Sequence, residues 1–87
     1  MGDRRSAPRH RTFKGGRIIA ERLPDRDCFV RNLSDGGACL EIDSSLVPVD
    51  EFNLIIKPEN LFRICRVAWR TPRNIGVRFV EAGPKNP

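Results

Sequence analysis

The chain has 87 residues, which allows one domain and a small core, burying only ~60–65% of the surface that the unfolded chain exposes. Hydrophobic residues make up 39%, too many for a disordered chain, and no apolar run approaches the ~18 residues of a membrane-spanning helix. A net charge of +5 points to an anionic partner: a nucleotide, a nucleic acid or an acidic surface.

Residues 1–14 lack hydrophobic periodicity and read as a flexible basic arm. Arg4, Arg5, Arg9, Arg11 and Lys14 stand there against the single acid Asp3. This N-terminus has no apolar h-region, so it is not a secretory signal, and a cytoplasmic location is expected. His10 is the only histidine, and without a second one at ligand spacing no metal site is expected.

The folded part is expected over residues 15–81, with Gly15-Gly16 as punctuation at its start. Residues 17–21 form a short strand on Ile18 and Ile19, and residues 23–26 a turn built by Pro24 and Asp25. Residues 27–32 form a second strand, with Cys28 and Val30 on one face and Phe29 and Arg31 on the other. The stretch 31–37 then reads Arg-Asn-Leu-Ser-Asp-Gly-Gly. Asn32, Ser34 and Asp35 hydrogen-bond local backbone in turns. The glycines either take positive φ or admit another group close to the backbone.

Residues 38–42 alternate, with Ala38, Leu40 and Ile42 opposite Cys39 and Glu41, as a half-buried strand does. Residues 43–49 connect, with a short helical turn at Ser44-Ser45 limited by Pro48. Residues 51–56 form a fourth strand on Phe52, Leu54 and Ile56, and residues 57–60 a hairpin turn. Residues 61–70 form the longest strand. Cys65, Val67 and Trp69 share its inner face, Trp69 reads as core, and Ile64 breaks the alternation as a bulge would. Residues 71–74 turn, residues 75–80 form the last strand with Ile75, Val77 and Phe79 inward, and residues 82–87 read as a loose tail.

Short strands at about ten-residue spacing with no long helical pattern predict an all-β fold, a small antiparallel barrel of six strands. Cys28, Cys39 and Cys65 are an odd, scattered set without C-x-x-C spacing, so small buried thiols are expected rather than disulfides or zinc ligands. No catalytic set is visible. Ser34 has no histidine near it in sequence, and Gly36-Gly37 is not followed by the Lys-Ser or Lys-Thr of a phosphate loop. An enzyme is not expected.

Binding chemistry is better represented. A guanidinium is planar, permanently charged and bidentate, which suits phosphate oxygens and the O6/N7 edge of guanine. The chain carries Arg5-x-x-x-Arg9 in its arm, Asn32-x-Ser34-x-x-Gly37 in its turn, and Ile-Gly-Val-Arg-Phe at residues 75–79. From about residue 4 to residue 80 it resembles the PilZ domain family. The resemblance implies a six-stranded antiparallel barrel of Greek-key or split type and cyclic di-GMP as ligand, with no cofactor. Arg5 and Arg9 would be the clamps and Arg4 an auxiliary, with Arg11 a lesser one, while Asn32, Ser34 and Gly37 would be the turn contacts. It also implies output through a partner protein, in motility, attachment or polysaccharide production. Size alone suggests a monomer. The alternative is a small basic barrel for single-stranded nucleic acid. Against it stand the absence of Tyr and five Phe that fit strand cores. A protein-interaction barrel without a small ligand is the third class.

Overall fold

The computed structural model describes residues 13–80. The arm with Arg4, Arg5, Arg9 and Arg11, and the tail from residue 81, lie outside the described residues. Six strands follow in order: β1 (Lys14–Ile19), β2 (Arg26–Arg31), β3 (Gly37–Glu41), β4 (Glu51–Ile56), β5 (Leu61–Thr71) and β6 (Asn74–Val80). A 3-10 turn at Ser44–Leu46 joins β3 to β4, where the Asp43 carboxylate accepts from the Ser45 amide at 3.0 Å. The strands close in the order β1-β2-β3-β6-β5-β4, every neighbouring pair antiparallel. Two three-stranded meanders thus face each other, with β3 beside β6 and β1 beside β4. Among the described residues no helix is long and apolar enough to cross a membrane.

Closure follows from the period-two patterning. Ile18, Cys28, Val30, Leu40, Leu54, Ile56, Cys65, Ile75 and Val77 are buried, so every strand sends side chains into one core. Each fully buried aliphatic side chain there stabilises the fold by ~1.5–3 kcal/mol. Val47 joins them from the β3–β4 connection and is wholly buried. Arg70 on β5 fixes that connection by donating to the carbonyls of Val47 and Val49, both at 2.9 Å.

Four details depart from expectation. First, β1 begins at Lys14 and takes both glycines into the strand. Gly16 faces inward where a Cβ would stand 2.8 Å from Val30 Cγ2 and 3.1 Å from Cys28 Sγ, so the position is glycine for want of space. Second, the irregularity in β5 lies between Val67 and Trp69, not at Ile64. The extra residue restarts the alternation, and Trp69 emerges on the outside, 49% exposed, instead of in the core. Third, the Phe residues are not mostly internal: Phe52 is buried, but Phe13, Phe29 and Phe62 are exposed. Fourth, Cys28 and Cys65 are core thiols, whereas Cys39 is half-buried on the outward side of β3, its Sγ 3.6 Å from Asn74 Oδ1.

Candidate functional site

The β2–β3 turn is held by its own polar groups. The Ser34 amide donates to the Gly37 carbonyl at 2.9 Å, and the Ser34 hydroxyl donates to the same carbonyl at 3.3 Å. That hydroxyl also accepts from the Gly36 amide at 3.3 Å. Leu33 packs against the core between them. The last strand braces the turn from outside, since the Phe79 amide donates to the Gly36 carbonyl at 2.8 Å.

Backbone conformation separates the roles of Asn32 and the glycines. Asn32 is the left-handed residue, with φ 52°, a region that asparagine tolerates better than most side chains. Gly37 is required by proximity: a Cβ there would come within 2.2 Å of the Val77 carbonyl oxygen on β6. Of the two explanations the sequence leaves open for that glycine, close approach is the one that applies. Gly36 has open space at the same place.

Asn32, Ser34 and Gly37 line one cavity of about 450 Å³. Its other side is formed by Trp69 and Arg78, with Cys39 also in the lining. Trp69 gets there through the β5 irregularity and through Gly76 on β6. A Cβ at Gly76 would lie 2.1 Å from Trp69 Cε2, so the indole occupies the space above the glycine. Arg78 gets there by register, because it pairs with Gly37 across β3–β6 and with Arg66 across β5–β6. Arg66 is neutralised by Glu51, its Nε donating to Oε2 at 3.0 Å. Among the described residues Arg78 makes no ion pair, so an unneutralised guanidinium faces solvent at the rim of the cavity. Burial pushes the Cys39 thiol up, with Glu41 adding to it and Arg31 opposing, so Cys39 presents a neutral thiol and no anion to the cavity.

Of the sequence-derived candidates, Asn32, Ser34 and Gly37 are thus brought together, while Arg4, Arg5 and Arg9 lie outside the described residues. Sequence reasoning missed Trp69 and Arg78 as lining residues. Arg78 was recoverable, because alternation in the last strand already turns it outward. Trp69 was not, because strict alternation along β5 sends it the other way. The β1–β2 register supplies a further relation. Lys14 pairs with Val30, so Phe13, the first described residue, comes beside Arg31, the residue before Asn32.

The arrangement offers an aromatic face, a guanidinium, an amide, a hydroxyl and backbone groups around one cavity. Groups of these kinds are chemically suited to a planar, anionic molecule. Among the described residues no group of three His, Cys, Asp or Glu could hold a metal ion. No curated protein sequence matches the chain significantly. The family model of the PilZ domain matches residues 3–86, nearly its whole length. PilZ domains are modules for binding cyclic di-GMP and not a catalytic family. On that match, and on the closed six-stranded barrel, the chain belongs to the PilZ domain family.

Proposed function

We propose that this protein is a receptor for cyclic di-GMP, bound between the Asn32–Gly37 turn and the arm. The observation that carries the reading is the shared cavity: Asn32, Ser34 and Gly37 line the same space as Trp69 and Arg78. In this reading the Asn32 amide and the turn backbone address a guanine edge, the indole of Trp69 offers a stacking face, and Arg78 meets a phosphate. Arg5 and Arg9 close over the ligand as clamps, with Arg4 as an auxiliary contact. The Ser34 hydroxyl already holds the turn together, so its contribution is first to shape and then to contact. Arm and ligand together make a surface absent from the free protein, and a partner protein in the cytoplasm reads that surface to adjust motility, attachment or polysaccharide output. The protein acts as a monomer and needs no cofactor.

Isothermal titration with cyclic di-GMP tests the reading, with GTP, cyclic GMP and a single-stranded oligonucleotide as comparators. Saturable binding of cyclic di-GMP alone supports it. The second reading, a basic barrel for single-stranded nucleic acid, gains one specific observation: Phe13, Phe29, Phe62 and Trp69 are exposed aromatic side chains on a basic protein. Preference for the oligonucleotide would select it instead.

A further inference from the structure

One register line runs across four neighbouring strands. Glu51 of β4 pairs with Arg66 of β5, Arg66 pairs with Arg78 of β6, and Arg78 pairs with Gly37 of β3. Glu51, Arg66 and Arg78 are all exposed, so the three side chains stand in a row on the outside of the barrel. The row ends in the cavity, which Arg78 and Gly37 both line. Ala68, two residues after Arg66, lies in the same lining, so β5 itself passes from Arg66 into the cavity wall.

Two arginines directly opposite each other on adjacent strands repel. Glu51 answers one of them: Nε of Arg66 donates to its Oε2 at 3.0 Å, and Nη2 donates to the same oxygen. That carboxylate comes from β4, on the far side of Arg66 from Arg78. Both partners are more than half exposed, 62% for the Arg66 side chain and 55% for that of Glu51. A pair so open to solvent adds little stability and is easily exchanged. Packing does not need it either, since neither residue belongs to the core. Arg66 is thus a guanidinium held next to the cavity by a partner that a phosphate can replace. Its planar fork donates to phosphate oxygens as well as to a carboxylate. Adjacent strands are ~4.8 Å apart, so Arg66 stands a single step beyond Arg78. An anion seated at Arg78 is therefore presented to Arg66 as well, and it offsets the repulsion between the two.

We infer that Arg66 is a second phosphate-contacting residue of the ligand site, and that Glu51 is the competing anion it leaves when ligand arrives. The inference rests on the cyclic di-GMP reading above and deepens it. Arg78 and Arg66 together form a two-guanidinium strip for the phosphate side of the ligand, built on β5 and β6 alone. Glu51 positions Arg66 in the free protein and opposes its transfer to the ligand.

The test is isothermal titration of the full chain with cyclic di-GMP, at low and at high salt. Arg66→Ala weakens binding about 3–10-fold at low salt, the loss of one exposed charge-assisted contact. Glu51→Gln strengthens it about 2–5-fold, because Arg66 then has no anion to leave. Asp25→Asn makes the same change in net charge just before β2, at the other end of that strand from Asn32, and leaves affinity as it was. In the Arg66→Ala background the gain from Glu51→Gln disappears. The Arg66→Ala deficit narrows at high salt, where exposed charges are screened. Melting temperatures stay close to wild type throughout, since the substituted side chains are exposed. Wild-type affinity in Arg66→Ala overturns the inference and leaves the receptor standing. A gain from Glu51→Gln that persists without Arg66 also overturns it, because the carboxylate would then repel the ligand directly. A deficit that high salt leaves untouched assigns Arg66 to the shape of β5 and overturns it too. If the wild-type chain does not bind cyclic di-GMP, both readings fall.

Discussion

The indole of Trp69 takes the place that a side chain at position 76 would fill: a Cβ on Gly76 would stand 2.1 Å from Cε2 and 2.2 Å from Nε1. The two residues are cross-strand partners just past the β5 irregularity. Trp69 therefore holds its position in the cavity wall only while residue 76 has no side chain. Gly76→Ala should displace the ring. Trp69 is the only tryptophan, so its emission reports on the event without interference. We expect a shifted emission maximum in Gly76→Ala and a weaker, though not abolished, response to cyclic di-GMP. In the wild-type protein the ligand should quench Trp69. An unchanged spectrum at saturating ligand would remove the indole from the proposed site.

The clamps make a second case. A hydrogen bond involving a charged group contributes ~1.5–3 kcal/mol, and ~1.4 kcal/mol is tenfold in affinity. Arg5→Ala and Arg9→Ala should each weaken cyclic di-GMP binding at least ~10-fold, with no change in the melting temperature of the free protein. Wild-type affinity in both variants would refute their assignment.

Asn32 and Gly37 can be told apart by substitution. Asn32→Gly keeps the left-handed backbone at φ 52° and should preserve stability while removing the amide from the cavity, so affinity falls and the melting temperature holds. Gly37→Ala meets the Val77 carbonyl and should lower both. Its loss belongs to the typical single-site range of ~0.5–3 kcal/mol, toward the upper end because backbone must move. A Gly37→Ala protein as stable as wild type would show that β3 and β6 can separate at no cost.

The core thiols predict an alkaline limit. Burial, with the Asp27 carboxylate adding to it, pushes Cys28 from its ordinary 9.0 up to about 12. Burial likewise raises Cys65 to about 12, with Cys28 adding to the effect. The folded protein holds these protons more tightly than the unfolded chain does. Between the two values the unfolded state has lost them and the native state has not, so stability is intact below pH 9.0 and falls as pH rises toward 12. Urea denaturation at stepwise pH should show the decline, and Cys28→Ala should reduce it. A thiol reagent at neutral pH should leave both core cysteines unmodified until the protein unfolds.

Sequence patterning reached most of this structure because the barrel is built from strict alternation. The strand Glu51–Ile56 and the inward set Cys28, Val30, Leu40, Ile75 and Val77 are legible as period-two patterns. Alternation fails where register changes. One extra residue between Val67 and Trp69 inverts every later side chain in β5, and nothing local in the sequence marks it. Gly15 and Gly16 mislead in another way. As a pair they read as a break, but Gly16 lies under Val30 of a neighbouring strand, a contact that composition cannot show. In the site, the turn residues announce themselves by type. Arg78 and Trp69 join them only through pairings across β3–β6 and β5–β6.

Closure of the sheet has a consequence for whatever protein reads this domain. Each of the six strands has a partner on both sides, from β1 against β4 round to β5 against β6. No described strand leaves a row of backbone amides and carbonyls for an incoming peptide to extend by β-augmentation. Recognition of the barrel must therefore rest on side-chain relief: the outward positions of the strands, the turns between them, and whatever lies across the Asn32 turn. In the proposed reading, those are the features that the ligand and the arm redraw.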